Sequence, residues 1–340
     1  MKFNKFIISV ILILSHELFA AKVKCPESPS AFNERVKVDV SYDKKSKLYS
    51  YKYTLSILKN SKVPVGFFAV QTVIPVNKQI VPNKKWLSSS VNPNFENSID
   101  WMGPDLHPGD TVTGFEIQSV NPPGYTKYML FGYPGDIPTV ILDNDSAEED
   151  AVEPICPGFY APGSSIKNDY VVGLTTGPTP PSRVVAQLRI KKMKDSKWRG
   201  HIDDDDDPLE ISPLDTGHIQ VMLYSEDLDL SKVDISSLRF GQGQAKPLKT
   251  EIVTQVKEAC DKDLDAHIKK NKSAKYLKME FNLEDVNVHC DLDRALFLTG
   301  KYADKELFAG VKTKSVVCNK KTFIKEEKLI RKDGRFMEPE

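Results

Sequence analysis

GHIQVMLYSEDLDLSKVDISSLRFG, residues 217–241, is the stretch from which the fold is read. Its first half alternates, with Ile219, Val221 and Leu223 on one side and His218, Gln220, Met222 and Tyr224 on the other. Successive side chains of a pleated strand project to opposite faces. A period of two therefore specifies a half-buried strand whose apolar side faces a second sheet. Polar turn formers from Ser225 to Asp229 break the pattern, Leu238 and Phe240 resume it, and Gly241 closes it.

The same period recurs upstream. Val36, Val38 and Val40 alternate, as do Tyr49, Tyr51, Tyr53 and Leu55, and later Val184, Ala186, Leu188 and Ile190. VPVGFFAVQTVIPV, residues 63–76, is almost continuously apolar, the pattern of a strand buried on both faces. Residues 77–110 read as loop-rich, with Pro82, Pro93, Pro104 and Pro108 around Trp86, Phe95 and Trp101. Those aromatics either pin their loops to the core end or offer exposed rings to a sugar; the first reading is preferred. Further short strands are expected at 112–117, 125–132 and 137–142, separated by Pro/Gly turns, the spacing of a β-sandwich.

The expectation is an all-β chain of two tandem Ig-like β-sandwich domains. The chain has 340 residues, 40% hydrophobic and 28% charged, enough for about two domains of roughly 150 residues each. The N-terminal sandwich is placed at 21–175 and the C-terminal one at 184–318. The proline-rich LTTGPTPP around 176–183 reads as a semi-rigid linker, and 319–340 as a charged tail. One departure from all-β is expected. Ile252, Val253, Val256, Cys260, Leu264 and Ile268 fall near helical spacing behind Thr250, so a short helix is a candidate near 251–269.

Residues 1–20 read as a secretory signal peptide. Lys2 and Lys5 precede the apolar run from Phe6 to Leu14, and Ala20 stands at the expected cut. No later apolar stretch has the length of a membrane span, so a secreted or periplasmic protein is expected. The 47 basic and 47 acidic side chains cancel, which leaves no electrostatic footprint for nucleic acid. Export permits disulfides among Cys25, Cys156, Cys260, Cys290 and Cys318. Pairing by domain joins Cys25 to Cys156 and Cys290 to Cys318; Cys260 with Cys290 is the rival.

Candidate ligands for a hard cation lie in acidic runs. Asp203, Asp205 and Asp207 belong to five consecutive aspartates, which must stay solvated or gather cations. Asp261, Asp263 and Asp265 form a D-x-D-x-D run that suits calcium if it is a loop and spoils the site if it is a helix. Asp143 to Asp150 reads as a solvated acidic loop. Of the histidines after the leader, His107 precedes a proline, His201 sits beside the aspartate run, and His218, His267 and His289 are isolated; no nucleophile elbow, zinc helix or phosphate loop is present.

Gly217-x-Ile219-x-Val221-x-Leu223-x-Ser225, then Leu228-Asp229, Val233-Asp234 and Ser237-Leu238-x-Phe240-Gly241, resemble a β module recurrent in exported bacterial proteins. The order Asp261-x-Asp263-x-Asp265, Tyr276 to Phe281, Leu298-Thr299-Gly300 and Phe308-Ala309-Gly310 is similar to that module over about 200–318. The resemblance implies an exported β module whose late cysteine pair matches Cys290 and Cys318. The upstream sandwich also resembles domains that precede such modules. The expected function is non-enzymatic binding of an envelope or extracellular protein or glycan, with calcium as a candidate ion. The alternative is an exported hydrolase acting on envelope polysaccharide or protein.

Overall fold

Strands dominate the computed structural model, which describes residues 31–90, 97–132, 139–141, 152–154, 170–193, 208–224, 228–254, 275–289 and 292–315. The chain is all-β, as its alternating segments require. One N-terminal sheet has the order β1-β2-β7-β4, from β1 (Glu34–Asp43), β2 (Leu48–Ile57), β4 (Lys78–Ile80) and β7 (Thr111–Ser119). The facing sheet has the order β11-β8-β3-β6-β5. It is built from β3 (Val65–Gln71), β5 (Leu87–Ser89), β6 (Ser98–Leu106), β8 (Pro123–Gly132) and β11 (Val171–Pro178). All pairings in both sheets are antiparallel.

Alternate residues of the two sheets fill the space between them. Tyr51, Tyr53 and Leu55 of β2 meet Phe68 and Val70 of β3, Trp101 of β6 and Phe115 of β7. The Phe68 and Trp101 rings stack at 5.3 Å, and Phe115 meets Phe68 edge-on at 5.3 Å. Trp86 and Trp101 are thus buried, at 3% and 0% exposure, and neither offers a ring to a sugar. Phe95 lies outside the described residues. The segment read as loop-rich carries three strands, β4, β5 and β6; two of them have only three residues, too few for a visible period.

The C-terminal half forms an eight-stranded sheet. Its strands are β12 (Arg183–Lys192), β13 (Leu209–Ile211), β14 (His218–Tyr224), β15 (Val233–Phe240), β16 (Lys249–Val253), β17 (Tyr276–Asn282), β18 (Ala295–Tyr302) and β19 (Lys305–Ser315). The order is β15-β18-β19-β12-β14-β17-β16, with β13 paired off this path to β19. β19 runs parallel to both partners on one edge: Arg183 to Gln187 pair with Glu306 to Gly310, and Leu209 to Ile211 with Thr313 to Ser315. β12 then leaves β19 and pairs antiparallel with β14 through Gln187 to Lys192.

That sheet curls onto itself. β15 and β17 are five places apart in the order, about 24 Å if the sheet were flat. Yet the rings of Phe240 on β15 and Phe281 on β17 lie 5.0 Å apart. One core therefore gathers Leu188, Val221, Leu238, Met279, Leu298 and Val311 from six strands. Gly241 adopts φ 73°, and a Cβ there would stand 2.4 Å from the Val286 carbonyl oxygen, so only glycine lets the chain pass the single-turn helix α1 (Leu283–Val286).

Two expectations change here. β14 was expected to be half-buried, but Gln220, Met222 and Tyr224 on its second face are buried as well. Arg189 and Lys191 of β12 share that closed face at 2% and 4% exposure, and the Arg189 guanidinium lies 5.8 Å from the Tyr224 ring. The helix expected from 251 does not begin there, because Lys249–Val253 is an edge strand paired with β17. Residues 255–269 lie outside the described residues.

The N-terminal sandwich and the curled C-terminal sheet belong to one compact unit and pack against each other. Leu174 and Val172 from β11 and Tyr125 from β8 pack against Ala295, Phe297 and Phe308. Val172 bridges in parallel to Asp293, donating its N–H to the Leu292 carbonyl at 2.9 Å and accepting from the Arg294 N–H at 2.9 Å. The proline-rich stretch does not act as a spacer over its whole length. Thr176 to Pro178 finish β11, and Thr179, 7% exposed, donates its N–H to the Pro122 carbonyl at 2.9 Å. Separately, β9 (Thr139–Ile141) and β10 (Val152–Pro154) form an antiparallel pair in a second unit.

Candidate functional site

A cleft of about 250 Å³ opens where β1 and β8 approach the start of β13 and the end of β19. Glu34, Arg35, Tyr128, Arg294, Lys312 and Lys314 supply its polar wall. β1 places Glu34 because Glu34, Val36 and Val38 at the start of the strand turn inward, and the Glu34 side chain is 3% exposed. Its Oε1 accepts from the Tyr128 hydroxyl at 2.8 Å, while Oε2 faces Arg294 Nε at 3.6 Å. Arg294 also donates from Nη2 to the Phe32 carbonyl at 3.0 Å, so its fork is fixed to the N-terminal half. Lys312 and Lys314 share the outward face of β19, and Lys314 Nζ reaches Glu210 Oε1 at 3.0 Å.

Nearby, two cations lie over rings of the docked faces. Lys127 Nζ lies 4.7 Å from the Phe297 centroid, the Arg183 guanidinium 5.1 Å from that of Phe308, and those two rings stack at 5.5 Å. Burial pushes the Lys127 ammonium below the ordinary lysine range, against the opposing pull of the Asp293 carboxylate. Asp293, 1% exposed, accepts from Gln242 Nε2 at 2.9 Å and from the His289 backbone N–H at 2.7 Å. Of these contacts, Lys127 over Phe297 joins the N-terminal half to the C-terminal one.

Asp203, Asp205, Asp207, Asp261, Asp263 and Asp265 are outside the described residues, and so are Cys25, Cys156, Cys260, Cys290 and Cys318. Among the described residues no cluster of three His, Cys, Asp or Glu side chains suits a metal ion. His218 is half-exposed and pairs through Nδ1 with Glu280. His289 is buried, with Nε2 3.4 Å from Asn287 Nδ2, and His107 is exposed. His201 and His267 are outside the described residues. None of Glu34, Arg35, Arg294, Lys312 and Lys314 was singled out from the sequence. The one local hint was Lys312-x-Lys314, two cations at strand spacing.

Neither the family models nor the curated proteins give a match to this chain. The cleft wall offers the guanidinium groups of Arg35 and Arg294, the ammonium groups of Lys312 and Lys314 and the hydroxyls of Tyr128 and Thr313 around the engaged Glu34 carboxylate, a set suited to anionic or hydroxylated groups. Among the described residues no helix is long and apolar enough to cross a membrane.

Proposed function

We propose that the chain is an exported binding protein, working without catalysis, that holds an acidic or glycan group of an envelope or extracellular partner in the cleft. The observation that carries this reading is that both sandwiches contribute to one basic wall, with Arg35 from the N-terminal half facing Lys312 and Lys314 from the other. Docked faces keep that wall preorganised, which lowers the ordering cost of binding. Export rests on the apolar leader at 1–20. The Cys25–Cys156 and Cys290–Cys318 pairings belong to the same proposal, with calcium on the acidic runs as an added source of order.

Sedimentation of the chain lacking residues 1–20 with washed bacterial envelope fragments tests the binding. Arg35 and Lys314 are exposed enough to be replaced without disturbing a core. The double variant Arg35→Glu, Lys314→Glu is expected to weaken binding at least tenfold. Unchanged binding by that variant contradicts the cleft as the site.

A further inference from the structure

β1 begins at the cleft and ends, about 30 Å further along, in a surface of different character. Lys44, Lys45, Ser46 and Lys47 turn the chain from β1 into β2, and all four are exposed. Asp43 fixes the turn, its Oδ1 accepting from the Lys45 N–H at 2.9 Å and its Oδ2 from the Ser46 hydroxyl at 2.7 Å. Lys47 takes φ 57° to close it. The three ammonium groups thus leave one short, ordered turn whose single carboxylate is engaged locally.

The strand register brings more to this end. Tyr42, 49% exposed, pairs with Tyr49 across β1 and β2, and their rings lie 4.7 Å apart. Tyr49 pairs in turn with Ser119, and the next residue, Val120, is 61% exposed. On the neighbouring strand Lys78 pairs with Gln118 and is exposed. One end of the sheet therefore presents Lys44, Lys45, Lys47 and Lys78 beside an exposed tyrosine and valine.

We propose that this end of the N-terminal sandwich docks on a lipid surface bearing anionic headgroups. Ammonium groups attract the negative surface, and each contributes additively when close to it. A tyrosine ring is at home at the boundary between headgroups and acyl chains, with its hydroxyl in the wet layer. A soluble polyanion would use the four lysines but would leave Tyr42 and Val120 in water, so the mixed chemistry favours the lipid surface. The contact is peripheral: two exposed apolar side chains and four charges hold the protein on the surface reversibly. It is independent of the cleft, which lies at the other end of β1.

Sedimentation with large vesicles tests this, using equal parts of phosphatidylglycerol and phosphatidylcholine against phosphatidylcholine alone. The chain lacking residues 1–20 is expected to bind the anionic vesicles only, and to leave them when salt shortens the screening length to about 3 Å. Each of Lys44→Gln, Lys45→Gln and Lys47→Gln is expected to weaken binding about fivefold, and the triple variant about a hundredfold. Tyr42→Ser is expected to weaken binding while leaving the salt dependence intact. Arg35→Glu, Lys314→Glu is expected to bind as the parent does, which separates this surface from the cleft. Failure of the parent chain to bind the anionic vesicles, or equal binding by the triple variant, overturns the proposal. Equal binding by Tyr42→Ser together with full displacement by soluble polyphosphate overturns it in favour of a polyanion site.

Discussion

Glu34 and Arg294 meet across the docked sandwiches, with 3.6 Å between Oε2 and Nε, although nearly the whole described chain separates them in sequence. The carboxylate is closed off from water, and the guanidinium retains 19% exposure. Removing one partner of such a pair leaves an uncompensated charge, whereas removing both does not. Arg294→Ala is expected to cost about 3 kcal/mol in urea unfolding. The double variant Glu34→Leu, Arg294→Leu is expected to lose less than the sum of the single changes. Strict additivity would show that the two groups do not couple.

Closure of the C-terminal sheet makes a second prediction. Phe240 is fully buried against Phe281 where the first strand of the order, β15, meets the sixth, β17. Phe240→Ala is expected to cost about 4 kcal/mol, from lost transfer energy and the cavity left behind. Leu87→Ala, at a residue 67% exposed on the edge strand β5, is expected to stay within about 0.5 kcal/mol of the parent. Chemical denaturation midpoints check both.

Alkaline pH is expected to destabilise the N-terminal sandwich. Burial pushes the Tyr53 phenol well above its ordinary range, and burial does the same to Tyr51. The unfolded phenols ionise near pH ~10, so the unfolded chain sheds protons first. The contribution is whole below that value and falls as the pH rises toward the folded-state pKa. Tyr53→Phe is expected to shallow the alkaline fall. It also removes the hydroxyl bond to the Thr176 carbonyl at 3.0 Å, at a cost of about 1 kcal/mol near neutrality. Thermal midpoints across pH, read with phenolate absorbance, check this.

At the acid end the effect has the opposite sign. The Ser46 hydroxyl, followed by the Lys45 backbone N–H, holds the Asp43 carboxyl below the ordinary aspartate range. Asp43 therefore supports its turn above the ordinary value near pH ~4 and loses that support as the pH falls through its lowered one. Ser46→Ala is expected to raise the Asp43 titration midpoint, measured by carboxyl-carbon NMR. An unmoved midpoint would show that the hydroxyl is not the cause.

Much of the fold is legible because a period of two survives in β1, β2, β12 and β14. The three-residue strands β4, β5 and β13 are too short to carry a period. β16 misled because Ile252 and Val253, Ile252 at 53% exposure on the edge strand, open a run of apolar residues that in sequence falls near helical spacing. The second face of β14 was misjudged because glutamine, methionine and tyrosine read as outward residues, while Arg189 and Lys191 on the neighbouring strand share their burial. Docking of the halves was hidden for the same reason: Lys127 and Arg183 look like solvated charges, and their place over Phe297 and Phe308 depends on contacts between distant strands. The cleft escaped notice because Glu34 and Arg294 share no local pattern.

Calcium is expected to raise the thermal midpoint if the Asp203–Asp207 run gathers it, since a ligand of the folded state stabilises that state. Replacing Asp203, Asp205 and Asp207 together by asparagine should then abolish the rise. No rise in the parent chain at saturating metal removes calcium from the account.

Hydrogen–deuterium exchange of the chain lacking residues 1–20, with and without washed envelope fragments, tests the binding role most directly. The account predicts slowed exchange in 33–36 and 312–314, lost in the Arg35→Glu, Lys314→Glu variant. Protection confined to other strands, or none at all, would contradict it.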